Sequence, residues 1–221
     1  WLAVITRGFA ISSPRPSVSG SKQAGSPAEP LPEIDLDYWR GRANINNDPN
    51  QGNISYNSGS NSLGPKKIVG NLSLNNEASL TVTGPLHVTG NLSMNNNSII
   101  YLSPSFGPKG SVIVVDGTIT FNSNAKVFGT GANPEGYLVL ISASNSSSAI
   151  NTNSNASLEA ALYAVNGRMN MNSNSNALAI AGRGINLNSN AVLNYDVNLK
   201  QMRLYDAPIT NLQIDKWKET E

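Results

Sequence analysis

The chain has 221 residues, of which 13% are charged and 39% hydrophobic, and its formal net charge is +1. So even a balance excludes the basic footprint of a nucleic-acid binder and the acidic tail of a solvating segment. Cysteine is absent, which removes disulfides and thiolate metal sites, and no apolar run is long enough to span a bilayer.

In chain order, the start (Trp1 to Arg7) lacks both an initiator Met and a signal-peptide charge pattern, so the chain reads as a fragment or a processed form. Gly8-Phe9-Ala10-Ile11-Ser12-Ser13 carries an apolar-polar-apolar triplet and a Ser corner, which predicts that residues 1–20 form a first coil of a repeating structure. Ser, Gly and Pro then crowd residues 21–32, and residues 21–50 read as a linker or excursion. Within it, residues 33–42 follow two prolines with acids early and Arg40 and Arg42 late, which predicts a short helix.

From residue 51 onward one motif recurs. Gly70-Asn71-Leu72-Ser73-Leu74-Asn75-Asn76 is echoed almost residue for residue by Gly90-Asn91-Leu92-Ser93-Met94-Asn95-Asn96. The triplets lead at residues 54, 72, 92, 119, 150, 169 and 185, spacings of 18, 20, 27, 31, 19 and 16 residues. An irregular period with a constant corner motif is the signature of a solenoid that takes insertions at fixed loops. A β-sandwich gives no reason for such an interval. Each triplet puts two apolar side chains on one face of a strand, and Asn tolerates the left-handed backbone of a tight corner. Second and third strands follow the corner in each coil, as in 80–82 and 86–88. The fold predicted is all-β: a right-handed parallel β-helix with three short strands per coil and Asn-rich corners.

The sequence holds 32 asparagines, and stacked coils would superimpose one per corner. Asn75, Asn95, Asn122, Asn153, Asn172 and Asn188 are the members expected of a structural Asn ladder, each amide donating to one neighbour and accepting from the other. At the far end, residues 209–218 alternate enough to be a last, capping strand, with Trp217 and Trp39 as candidate covers for an open end of the core.

Chemistry is hard to find. Glu77, Asp116, Glu135, Glu159, Asp196 and Asp206 sit singly at different strand phases, which reads as solvated surface charge rather than a catalytic pair. His87 is the sole histidine, and alternation in Leu86-His87-Val88 predicts that it points outward. Lys66-Lys67 and Gly182-Arg183-Gly184 read as turns, and the corners offer amides where a calcium solenoid needs carboxylates. No catalytic residue, cofactor or metal site is expected.

Gly64-Pro65-Lys66-Lys67-Ile68-Val69-Gly70-Asn71-Leu72-Ser73-Leu74-Asn75-Asn76, continued through Leu80-Thr81-Val82-Thr83-Gly84-Pro85-Leu86-His87-Val88, resembles the β-helical ectodomains of bacterial type IV pilus accessory (PilX-like) and pilin-like surface proteins. The likeness extends to residues 111–117, Tyr38-Trp39 and Trp217-Lys218-Glu219, and covers most of 33–221. Bactofilins, cytoplasmic β-helices that polymerise end to end, are a more distant analogue without these Asn corners. The resemblance implies a location at the bacterial cell surface. It also implies partners among the subunits of a pilus or envelope filament, or a surface glycan or protein, and membrane contact only through an N-terminal helix that this chain lacks. The expected function is a non-enzymatic extracellular structural or adhesive module. The alternatives are a filament subunit stacking through solenoid ends and a carbohydrate-active β-helix enzyme.

Overall fold

The computed structural model describes residues 4–6, 9–11, 34–188, 190–200 and 202–204. It is a parallel β-helix. The triplets stack in register from Ile54 through Leu72, Leu92, Ile119, Ile150, Met169 and Ile185, every pairing parallel. Each coil has a leading strand, the triplet strand and a trailing strand. In the second coil these are Lys66–Val69, Leu72–Leu74 and Ser79–Val82. In the third they are Leu86–Val88, Leu92–Met94 and Ile99–Leu102. The spacing varies because extra residues enter as loops between faces, so the register of the triplets is untouched. The last coils depart from three separate short strands. Ser157–Met171 and Asn176–Leu187 run through faces without a turn, the first bending where its register shifts at Leu158/Ala161 and Ala164/Arg168. Small residues (Ala160, Ala161, Ala164) allow that bend, and the coil contracts.

The core follows from the period of two. Leu72, Leu74, Leu92, Met94, Ile119 and Phe121 are all fully buried, each contributing on the order of 2 kcal/mol by removal from water. After each triplet comes a tight turn. Both central residues have positive φ at Asn76/Glu77, Asn96/Asn97, Ser123/Asn124 and Ser154/Asn155, the signature of a type I′ turn. The closing bond runs from the backbone N–H of Ala78, Ser98, Ala125, Ser175 or Ala191 to the carbonyl three residues earlier, at 2.9–3.2 Å. That closing residue is Ala or Ser because its side chain is buried in the angle of the corner.

Between leading and triplet strands lies a second corner, Gly followed by Asn or Thr. The Asn71 and Asn91 side-chain carbonyls accept from the backbone N–H of Asn91 (2.7 Å) and Thr118 (2.8 Å) in the next coil. A Cβ on Gly90 or Gly117 would meet those same oxygens at 2.3 Å.

The leading strands 111–115 and 138–142 are apolar on both faces, and a second hydrophobic cluster lies outside the solenoid. Val112, Val114, Ile141, Ala161, Tyr163 and Ala181 belong to it. The helix Leu36–Ala43, capped by Asp35 through Tyr38 N–H (2.9 Å), lies across the leading strands 66–69, 86–88 and 109–115. Trp39 is fully buried in this lateral cluster. It therefore covers the flank of the sheet and not an end of the core, because two-sided apolar strands leave more surface to bury there. Leu199, Met202 and Leu204 join the same cluster as the chain turns back, and Arg203–Leu204 pairs with Lys109 and Gly110. Trp217 and the strand expected at 209–218 fall outside the described residues.

The strands Val4–Thr6 and Phe9–Ile11 do form a coil, but not a first one. They stack on the last coil, Val4 opposite Ile180 and Phe9 opposite Ile185. The triplet 9–11 meets a matching triplet there, whereas the first coil places Asn61 at an interior position, in register with the buried Leu80.

Since no left-handed φ is involved at Gly117, the cost of Gly117→Ala is steric: the Cβ displaces the Asn91 amide and meets the Gly90 carbonyl oxygen at 2.6 Å. It should lower the thermal midpoint by several degrees, about 1–3 kcal/mol of overpacking. Gly182→Ala, whose Cβ would sit an ordinary 3.4 Å from its nearest neighbours, should leave the midpoint unchanged.

Candidate functional site

All six predicted ladder asparagines stand in one column. Nδ2 of Asn75 donates to Asn57 (3.0 Å), Asn95 to Asn75 (2.9 Å), Asn122 to Asn95 (2.8 Å), Asn153 to Asn122 (2.6 Å), Asn172 to Asn153 (3.1 Å) and Asn188 to Asn172 (2.6 Å). Each of the six donates towards the earlier coil, and Asn75, Asn95, Asn122, Asn153 and Asn172 accept from the later one.

A second ladder runs two residues further on, at the outer turn position. Asn190 donates to Asn174, Asn174 to Asn155, Asn155 to Asn124 and Asn124 to Asn97, at 2.9–3.1 Å. This column escapes the triplet pattern, yet its signal is in the motif Asn-x-Asn-Ala/Ser, where the third residue must adopt positive φ. Its place in the second coil is taken by Glu77. A shallow polar cleft of about 500 Å³ follows the corner there, lined by Asn76, Glu77, Asn96, Asn97, Ser123 and Asn124. It offers amide donors and acceptors with a single carboxylate, a surface suited to polar contacts.

His87 corrects the outward, solvated reading. Alternation does point it out of the core, but the helix covers that face and leaves the side chain 5% exposed. Its Nε2 lies 2.8 Å from Asp116 Oδ2. Arg40 donates to Asp116 Oδ1 through Nη2 (2.7 Å) and Nε (3.1 Å), and to Asp37 through Nη1 (2.9 Å). Burial acts to raise the Asp116 carboxyl, but the hydrogen bonds and charges of His87 and Arg40 outweigh it and hold the group below the usual aspartate range. The trio pins the helix to the sheet.

The scattered acids also need correcting. Glu135, on the loop after the strand Lys126–Phe128, and Asp196, after the last coil, come near Glu159. Burial raises the Glu159 carboxyl, the Glu135 charge adds to that, a backbone N–H from Gly129 works against it, and Asp196 contributes least. Tyr137 donates to Asp196 Oδ2 at 2.6 Å, and burial pushes its phenol far above the ordinary range. Loop insertion joins acids that lie far apart along the chain, which single-strand phases could not reveal. Beside them, Tyr101 and Phe128 stack with centroids 5.5 Å apart and planes 20° from parallel, so each ring spends one face on the other. Among the described residues no three His, Asp or Glu side chains form a group that could hold a metal ion, and no helix is long and apolar enough to cross a membrane.

Asn95→Asp keeps the acceptor for Asn122 but loses the donor to Asn75 and adds a charge to a half-buried column. It should cost about 1–3 kcal/mol at neutral pH, read as a lower thermal midpoint; an unchanged midpoint would count against the ladder. Asp116 has a depressed folded pKa. Its stabilisation is therefore present above the unfolded aspartate value, about 4, and is lost as pH falls through the lower folded value. Below about pH 4 the thermal midpoint should fall less steeply in Asp116→Asn than in the natural chain, and equal slopes would place the acid lability elsewhere.

Comparison of the chain with family models, with curated proteins and with solved structures finds no match.

Proposed function

We propose that the chain is a non-enzymatic structural and adhesive module at the bacterial cell surface, a rigid spacer that presents its polar corner to a glycan or protein partner. The observation that carries this reading is the unbroken stack. Triplets pair in register from Ile54 to Ile185, and successive coils are joined both by backbone bonds and by at least one amide of the inner ladder. The His87, Asp116 and Arg40 side chains are engaged in holding the helix to the sheet, and the cleft at Glu77 and Asn97 is a concave polar surface on the stack. Its chemistry suits hydroxyl-rich or amide-bearing ligands, since amides both donate and accept. The resemblance to pilus accessory ectodomains supports the same location and the same class of partner.

A filament subunit is a second reading, favoured by the common direction of the ladder. A copy stacked head to tail would continue the same donor-to-acceptor sense. Asn61 in an interior position of the first coil weakens it, because an end built to be buried would carry an apolar residue there. An enzymatic reading would rest on Glu159 with Glu135 and Asp196.

Two measurements test the proposal. Antibody against the chain should label intact producing cells as strongly as permeabilised ones, and labelling only after permeabilisation would overturn the location. Incubation with polysaccharides should give no new reducing ends or unsaturated products; cleavage that disappears in Glu159→Gln would replace the adhesive reading with the enzymatic one.

A further inference from the structure

The last coil is a strand-accepting end whose occupant is not contiguous with it. Its strands 180–182 and 185–187 pair with Val4–Thr6 and Phe9–Ile11, although the next described helix of the N-terminal region lies across 66–69, 86–88 and 109–115. Residues 12–35, 24 in all, separate Ile11 from Leu36. Along the leading face, four strand steps take the sheet from 109–115 through 138–142, 160–164 and 179–182 to 4–6. At about 4.8 Å per step that is roughly 20 Å. A connection of this length reaches to about 80 Å when extended. The tether therefore exceeds its own molecule's span about fourfold and does not dictate which last coil the strands occupy.

The contact itself is small and generic. Each donated strand is three residues long, against the ten paired positions that join 157–171 to 176–187. Phe9-Ala10-Ile11 repeats the triplet that stacks everywhere else in the solenoid, so any copy's last coil offers the same register. We infer that these N-terminal strands are exchanged between copies, residues 4–6 and 9–11 of one molecule closing the last coil of the next. With one donor and one acceptor per molecule, the contact is heterologous and propagates as a chain of copies. The inference shares with the filament reading only the head-to-tail direction. Exchange leaves the first coil uncovered by the neighbour, whereas end stacking would bury it.

The absence of cysteine makes the test clean. Ala10 and Asn186 are register partners, and adjacent parallel strands bring Cα atoms within disulfide range. Two full-length single variants, Ala10→Cys and Asn186→Cys, carrying tags of different size, are mixed under reducing conditions and then oxidised. Exchange predicts a disulfide-linked heterodimer in excess over either homodimer, increasing with protein concentration, with the 10–186 linkage found by peptide mapping. Unchanged circular dichroism and thermal midpoints establish that both variants are folded. If the double variant Ala10→Cys/Asn186→Cys links only within its own chain while the mixed singles give no heterodimer, the cap is private and exchange is overturned. If neither links, the pairing itself is overturned. A parallel mixture of Ser55→Cys with Ala10→Cys reports end stacking, because 9–11 is the outermost strand of the last coil and Ser55 stands in the same column of the first, so either idea can fail without the other.

Discussion

Register is the constraint on which the rest of this structure depends. In a sheet with alternating side chains a slip of one residue exchanges the buried and exposed sets, and a solenoid must hold its register at every coil despite coils of unequal length. Here two devices at one corner do so. The type I′ turn sets the path of the chain, and the amide two bonds from the backbone reads the position of the coil below. A one-residue slip would break the inner ladder, misplace the small residue in the corner angle and expose the triplet at once. Insertions of very different size are tolerated because they enter away from that corner.

The ladder also has a direction. Side-chain amides that all donate towards the earlier coil align their dipoles along the axis, as peptide groups do in a helix. The earlier end of such a column is donor-rich, and the outer ladder has a carboxylate, Glu77, in the motif position next in line after Asn97. An acceptor-only group there matches what the column presents. Glu77 thus looks like an exception to the Asn rule by sequence, and is consistent with it by electrostatics.

Much of this was legible in the sequence because the period, the triplet and the corner are local. The six inner-ladder asparagines follow from one frame repeated seven times, and the helix at 36–43 from its acid-to-base gradient and Asp35. What escaped was non-local. Strands such as Ser111-Val112-Ile113-Val114-Val115 are apolar on both faces, which states that something covers them without saying what. That ignorance sent Trp39 to an end and His87 to solvent, when both lie beneath or within the same lateral layer. The grouping of Glu135, Glu159 and Asp196 depends on where loops fold, and the placing of 9–11 on the last coil depends on which end has an unfilled edge. Neither is a property of any short window.

The two ends of the solenoid are not equivalent, and the difference accounts for the odd placement of the N-terminal strands. The first coil finishes its interior with polar and half-buried groups: Asn61 where later coils have Leu80 and Ile100, its amide bonded to the carbonyls of Gly59 and Ser79, and Tyr56 where they have Leu74 and Met94. Such an end tolerates water. The last coil presents Ile185 and Leu187, both buried, and strands with an unpaired edge would otherwise invite aggregation. It needs a cover of matching triplet pattern, and among the described residues the segment at 9–11 supplies it. The two ends of the stack are therefore finished by different means, the first with polar groups of its own coil and the last with a detached strand of matching pattern.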